Sequence, residues 1–178
     1  GWVAEAASYS SLDFYNPTSL GADSLGSTTL VGSNALIRRS ALDSIGGYQP
    51  GLAEDLATSI ALHSSNWRSV YINKPLAPGL APPDLTAWFN QQFKWARGVF
   101  ELFLTTYWRT LSHLTTGQRL SYGVRMTYYW IGLVFAVHLS TTMGVLFSRS
   151  ETALAAYENY LLHLLPLAAA SALIRIVA

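Results

Sequence analysis

Gln91, Lys94, Trp95 and Gly98 bring an amide, a cation, a large flat ring and a gap without a side chain into one segment, PPDLTAWFNQQFKWARGVFELFL. Placed at 100° per residue on a helix, the four fall within about 100° of one another. Leu85, Trp88, Phe89, Phe93, Ala96, Val99, Phe100 and Phe103 form a broad apolar arc outside that cluster, with Trp95 at its edge. An indole offers a flat CH-contact surface and an Nε1–H donor for a hydroxyl. A lysine holds phosphate as a point charge, and Gly98 would allow close approach. The combination suits a polar, partly flat, phosphate-bearing ligand. A membrane-surface helix with an interfacial tryptophan and a snorkelling lysine has the same residue pattern, so residue types alone leave both readings open.

The helix that must carry this cluster starts at Pro82-Pro83-Asp84, a helix-initiation signal. Upstream, the pattern predicts a mixed α/β segment. Thr28–Ile37 suits a short strand interrupted by a Gly-Ser turn, and Val70–Ile72 a second strand before Lys74-Pro75. Ser40 is positioned to cap a short helix, ALDSI, ended by Gly46 and Gly47. A further helix fits Glu54–Ser64, whose acidic first turn complements the helix dipole. Residues 1–27, rich in Ser, Gly and Ala without a clean period, read as loops.

Charge divides the chain. Its 178 residues are 51% hydrophobic and only 12% charged, about half the charged share of an ordinary soluble domain. A net charge of +1 excludes a nucleic-acid partner recruited by bulk charge. The absence of cysteine excludes disulfides, thiolate metal sites and a cysteine nucleophile. Met126–Phe147 contains no formal charge, and as a helix it would rise about 33 Å, enough to cross a hydrocarbon core of about 30 Å. Tyr128, Tyr129 and Trp130 lie at one end, as in an interfacial aromatic belt. Arg109, Arg119 and Arg125 precede the span, so the positive-inside rule puts the preceding residues in the cytosol. A second, partial span is expected over about 159–178. His138 and His163, inside the apolar runs, read as neutral imidazoles bonded to a neighbouring helix.

At this point the motifs resemble a known family, the membrane-embedded family 2 glycosyltransferases of the cellulose synthase and hyaluronan synthase type. QQFKW (Gln91 to Trp95) resembles their Q-(Q/R)-x-R-W motif, and Ala53-Glu54-Asp55 their T-E-D motif. LVGSNALIRRSALDSIGGY resembles the acceptor-site segment F-x-x-G-(S/T)-x-A-x-x-R-R, and ALHSSNWRSVYI the L-H-x-x-G-W-x-S-x-Y-I stretch. The four occur in the family's order from about Thr29 to Gly98. The resemblance implies that the chain is the C-terminal part of a GT-A-type α/β catalytic domain over 1–81. An amphipathic interfacial helix over 82–111 and a membrane region over 112–178 would follow. The nucleotide-sugar half is expected upstream, and the chain on its own is expected to be inactive.

Residue by residue, the resemblance implies that Asp55 is the general base, with Glu54 as a positioning residue. Val31, Gly32, Ser33 and Trp95 would bind the acceptor, and Gln91 and Lys94 the nucleotide diphosphate. His63 is read as packing rather than touching ligand. The implied function is inverting transfer from a nucleotide sugar, a UDP-sugar, to a growing polysaccharide. The alternatives are single transfer to a lipid acceptor, or a non-catalytic membrane scaffold. The implied partners are the nucleotide sugar, a glycan or glycolipid acceptor and membrane lipid, with no nucleic acid. The implied location is the plasma (inner) membrane, catalytic portion cytosolic. A divalent metal, Mg or Mn, is implied in the parent enzyme, but the sequence has no Asp-x-Asp, so its ligands are not expected in this chain. Three positions depart from the family pattern. Lys94 replaces Arg, keeping charge but losing the bidentate fork; Ala53 replaces Thr; and Ser65-Asn66 replaces Arg-Gly, where Asn can still take a left-handed turn.

Overall fold

The structure, a computed structural model, describes residues 1–148 and 150–177, with side chains through Pro166 and at Ala169. It comprises two compact units, Gly1–Thr127 and the segment from Tyr128. The first unit begins with α1 (Trp2–Asp13), a wide π turn at Phe14–Thr18 and α2 (Ser19–Ser24). Two helices follow, α3 (Arg39–Ser44) and α4 (Glu54–Ser64). A nearly unbroken helical run then contains α5 (Leu85–Leu102), a second π turn (Phe103–Tyr107), α6 (Trp108–Thr110) and a 3₁₀ turn (Leu111–His113). The unit closes with α7 (Thr116–Thr127).

The α/β expectation is overturned: the described residues contain helices and irregular segments but no strand. Backbone polar groups must be paired somewhere when water is excluded, and here side chains from helices and irregular segments do what a neighbouring strand would do. The Leu30 N–H donates to Ser59 Oγ at 2.8 Å and the Tyr71 N–H to Asp23 Oδ1 at 2.7 Å. The Thr28 carbonyl accepts from Ser69 Oγ at 2.7 Å. Residues 28–31 and 69–72 therefore run irregularly against helices. The opening residues also differ from the loop expectation. Ser10 and Ser11 turn their hydroxyls back onto the Ala7 carbonyl, at 2.8 and 3.0 Å, and so stay within α1.

Helix ends match the local chemistry more closely. α4 has the expected limits. Asp84 caps α5 by accepting from the Ala87 N–H at 2.8 Å. α3 ends at Gly46, whose φ of 78° suits glycine, but Ser40 does not cap it. Arg38 is the N-cap residue, and Arg39 and Asp43 form an exposed ion pair one turn apart at 2.8 Å. Asn66 adopts φ 62°, the left-handed turn that an asparagine can replace glycine to make.

The core of this unit gathers Leu56, Ala57 and Ile60 of α4 with Leu102, Tyr107, Leu114, Tyr122 and Met126. The Tyr107 hydroxyl donates to the Arg119 carbonyl at 2.9 Å. It lies over Gly123, where an added Cβ would come within 2.9 Å of it.

The second unit contains a 3₁₀ turn (Tyr128–Trp130), α8 (Ile131–Ser148) and α9 (Glu151–Val177). Among the described residues one helical stretch, Thr116–Ser148, is long and apolar enough to cross a membrane, and none of its apolar window is buried. A core helix of a soluble protein would be covered, so the exposed window fits lipid as its solvent. The expected span at 126–147 lies inside this stretch. The expected second span overlaps α9 from 159 to 177, but position 178 and most side chains of its C-terminal part fall outside the described residues. His138 meets Tyr157 and Tyr160 of α9 with ring centroids 6.0 and 5.9 Å away, and the Tyr157 hydroxyl bonds to Thr142. His163 instead bonds within its own helix, Nδ1 to the Asn159 carbonyl at 2.7 Å.

Candidate active site

Asp55 sits in the first turn of α4, two residues after the N-cap residue Ala53. Its Oδ1 accepts from the Leu56 N–H at 2.7 Å, and its Oδ2 is directed toward the 31–34 turn. A Cβ added to Gly32 would lie 3.8 Å from Oδ2. Gly32 has φ 76° and Asn34 φ 53°, so this turn relies on two residue types that tolerate left-handed backbone. Burial pushes the Asp55 carboxyl above its ordinary value, and Glu54 beside it pushes the same way. The Leu56 amide and the Lys94 ammonium pull it back. The helix N-terminus therefore does not leave this carboxylate in an ordinary state: partial desolvation makes it more basic.

The pull from Lys94 means that α5 brings its cation within electrostatic reach of the α4 N-terminus. The reason for the approach is Gly98. It is buried, and a Cβ there would lie 2.9 Å from both the Cβ and the backbone nitrogen of Ala53. α5 thus crosses the segment just before Asp55 at van der Waals distance. This corrects the sequence-based role for Gly98: the missing side chain admits the Leu52-Ala53 backbone and leaves no gap for a ligand. Gln91 is half-buried on α5, while Lys94 and Trp95 are exposed, Trp95 at 45%. Val31 is partly covered, and Gly32 and Ser33 are open. The structure places Gly32 beside Asp55 and Lys94 within electrostatic reach of that carboxyl, with Gln91 and Trp95 within one turn of Lys94 on α5.

The model of the family described as glycosyl transferase family group 2 matches residues 1–174. The chain belongs to this family. This family group 2 chain is 32% identical over 144 residues to a protein named cellulose synthase catalytic subunit (UDP-forming) from Komagataeibacter sucrofermentans, covering 80% of the chain and 19% of that relative. A protein of the same name from Pseudomonas fluorescens is 33% identical over 139 residues, 78% of the chain and 19% of the relative. The cellulose synthase 1 catalytic subunit (UDP-forming) of Komagataeibacter xylinus is 33% identical over 135 residues, 75% of the chain and 18% of the relative. The chain thus spans about a fifth of the length of these curated relatives.

In this glycosyltransferase-family chain, sequence reading passed over Ser59, and the structure gives it a positioning part. Ser59 donates to the Asp55 carbonyl at 2.7 Å and accepts from the Leu30 N–H at 2.8 Å, so it ties α4 to the residues just before Gly32. The available signal was the four-residue spacing of Asp55, Ser59 and His63, which stacks polar groups on one helix face. His63, one turn further, is buried and bonds through Nδ1 to the Tyr122 hydroxyl at 2.6 Å and through Nε2 to Ser69 Oγ at 2.7 Å. It packs within the protein, as expected.

Burial lowers the His63 pKa from 6.5 to about 4. Below 6.5 the unfolded chain binds a proton that the folded one refuses, so stability falls as pH drops from 6.5 and the loss levels off below about 4. The loss is of order 3 kcal/mol. Thermal midpoints of the detergent-solubilised protein between pH 7 and 4 should show this slope, and His63→Gln should flatten it.

Proposed function

We propose that this chain forms the acceptor side of the active site in an inverting membrane glycosyltransferase that moves a sugar from a nucleotide donor to a growing polysaccharide. The observation that carries this reading is the convergence of Gly32, Asp55 and Lys94 in a chain of the glycosyltransferase family. The names of its relatives, which include the words UDP-forming, support a UDP-sugar as donor. The acceptor hydroxyl lies over the Gly32 turn and gives its proton to the Asp55 carboxylate. Its oxygen forms a bond to the anomeric carbon as the bond from that carbon to the diphosphate oxygen breaks. The electron pair leaves with the diphosphate, and the configuration inverts. Lys94, with Gln91, faces the departing diphosphate and offsets its charge. Val31 and Ser33 flank the acceptor, Trp95 stacks on its terminal sugars, and the neighbouring Glu54 charge makes Asp55 more basic.

A divalent metal belongs to this reading of the parent enzyme, with its ligands supplied from outside this chain. Among the described residues no three His, Asp or Glu side chains gather where they could hold an ion. No step here passes through it. The exposed helical stretch Thr116–Ser148 supports an integral membrane protein. The basic residues preceding its uncharged run support a cytosolic face for the site, and the plasma (inner) membrane is the proposed location.

Product analysis with the full-length enzyme tests this reading. An α-linked UDP-sugar should yield β-linked product, and retained configuration would overturn the single displacement. A ladder of long chains supports a polysaccharide acceptor, whereas one discrete glycolipid would replace it with a lipid acceptor. A pH profile adds a second check. Lys94 holds the Asp55 pKa down, so Lys94→Gln should move the acid limb of kcat/KM to higher pH as well as weaken nucleotide binding.

A further inference from the structure

The polar groups behind Asp55 form a chain whose direction can be worked out from proton counting. Ser69 has one hydroxyl proton, and it is given to the Thr28 carbonyl at 2.7 Å. Ser69 Oγ must therefore accept from His63, which puts the imidazole proton on Nε2. Nδ1 then carries a lone pair and accepts the Tyr122 O–H at 2.6 Å. The run is Tyr122 to His63 to Ser69 to the Thr28 carbonyl, every bond pointing the same way. Tyr122 is fully buried and His63 is 3% exposed, so water does not substitute for a lost partner. An imidazolium would carry two donors and break the run at Nδ1.

This run has a mechanical consequence. Residues 28–30 are attached to α4 at two points, Thr28 through Ser69 and His63, and Leu30 directly through Ser59. The next residues are Val31 and then Gly32, which lies beside the Asp55 carboxylate. We infer that His63 is a positioning residue for sugar transfer: as the neutral, Nε2-protonated ring held between Tyr122 of α7 and Ser69, it keeps the Gly32 turn in register with Asp55. This inference rests on the Asp55 reading given above. Packing alone does not account for the residue, because an aliphatic side chain would fill the volume while leaving the buried Tyr122 hydroxyl unpaired. The two-sided ring, an acceptor on one edge and a donor on the other, is what this run requires.

The test uses the full-length enzyme, with turnover divided by the number of nucleotide-binding sites so that misfolded molecules do not count. Tyr122→Phe removes only the proton given to Nδ1. It is expected to lower kcat about tenfold and raise the acceptor KM, with the donor KM unchanged. His63→Leu, which loses both bonds, is expected to lose about 100-fold. His63→Gln, which keeps a donor for Ser69, should recover part of that. The His63→Leu and Tyr122→Phe effects should be non-additive in the double variant, since they act through one bond. Wild-type kcat per binding site in Tyr122→Phe and His63→Leu, with only the thermal midpoint lowered, would overturn the inference. So would a change confined to the donor KM. Asp55→Asn run in parallel separates the two readings. Wild-type turnover in that variant overturns both, whereas an inert Asp55→Asn beside an unimpaired His63→Leu overturns only the His63 inference.

Discussion

Asp55→Asn in the full-length enzyme is expected to lower transfer by about 10²- to 10⁴-fold, the usual contribution of a general base, while nucleotide binding is retained. The substitution is nearly isosteric. Asparagine Oδ1 can accept from the Leu56 N–H as the carboxylate oxygen does at 2.7 Å, so the first turn of α4 stays closed. The Gly32 turn, 3.8 Å away as measured to a Cβ built there, meets an atom of the same size. What disappears is proton affinity. An amide does not take the acceptor proton at any working pH, whereas the partly buried carboxylate, raised by desolvation and by Glu54, is a stronger base than an exposed one. Measuring turnover and nucleotide binding on the same preparation checks it. Unchanged kcat would remove Asp55 from the base position.

Gly98→Ala should be nearly as damaging although residue 98 touches no reacting atom. Its new methyl group would be built 2.9 Å from the Ala53 backbone nitrogen and 2.9 Å from its Cβ. Backbone cannot swing aside as a long side chain can, so α5 must move away from α4. Overpacking of this kind typically costs about 1–3 kcal/mol. A displacement near 1 Å can also cost about 100-fold in rate where groups must be aligned. Because Lys94 lies one turn before Gly98, the shift should weaken its hold on Asp55. A rise in the acid-limb pKa of kcat/KM should therefore accompany the rate loss. A Gly98→Ala enzyme with normal kcat and pH profile would show that the tight crossing does not set the site.

Much of this was legible locally. The limits of α4 follow from an acidic first turn and a polar, left-handed Ser65-Asn66 exit, and the start of α5 from Pro82-Pro83-Asp84. The exposed apolar stretch follows from an uncharged run that does not depend on neighbours. The motifs of the resemblance lie along the sequence in order, and a match over residues 1–174 bears out the family. The strands at Thr28–Ile37 and Val70–Ile72 failed for a reason local pattern does not contain. Apolar, β-branched residues favour extended backbone, but a strand exists only with a partner ladder. Here Ser59, Ser69 and Asp23 serve as that partner from helices and loops distant in sequence. The early helix was missed because serines compete for backbone bonds, and only the packed conformation turns Ser10 and Ser11 inward along the helix.

Residue order was enough to give the long apolar stretch, the starts of α4 and α5 and the family, because each depends on neighbours within a few positions or on composition over a window. The tertiary structure alone decided that Gly98 admits a backbone rather than a ligand, and that Lys94 reaches the field of Asp55 from another helix. It also decided that Ser59 and His63 tie residues 28–30 to α4. These are contacts between groups far apart in the chain, and their free energies depend on distances of a few ångströms that no local pattern encodes.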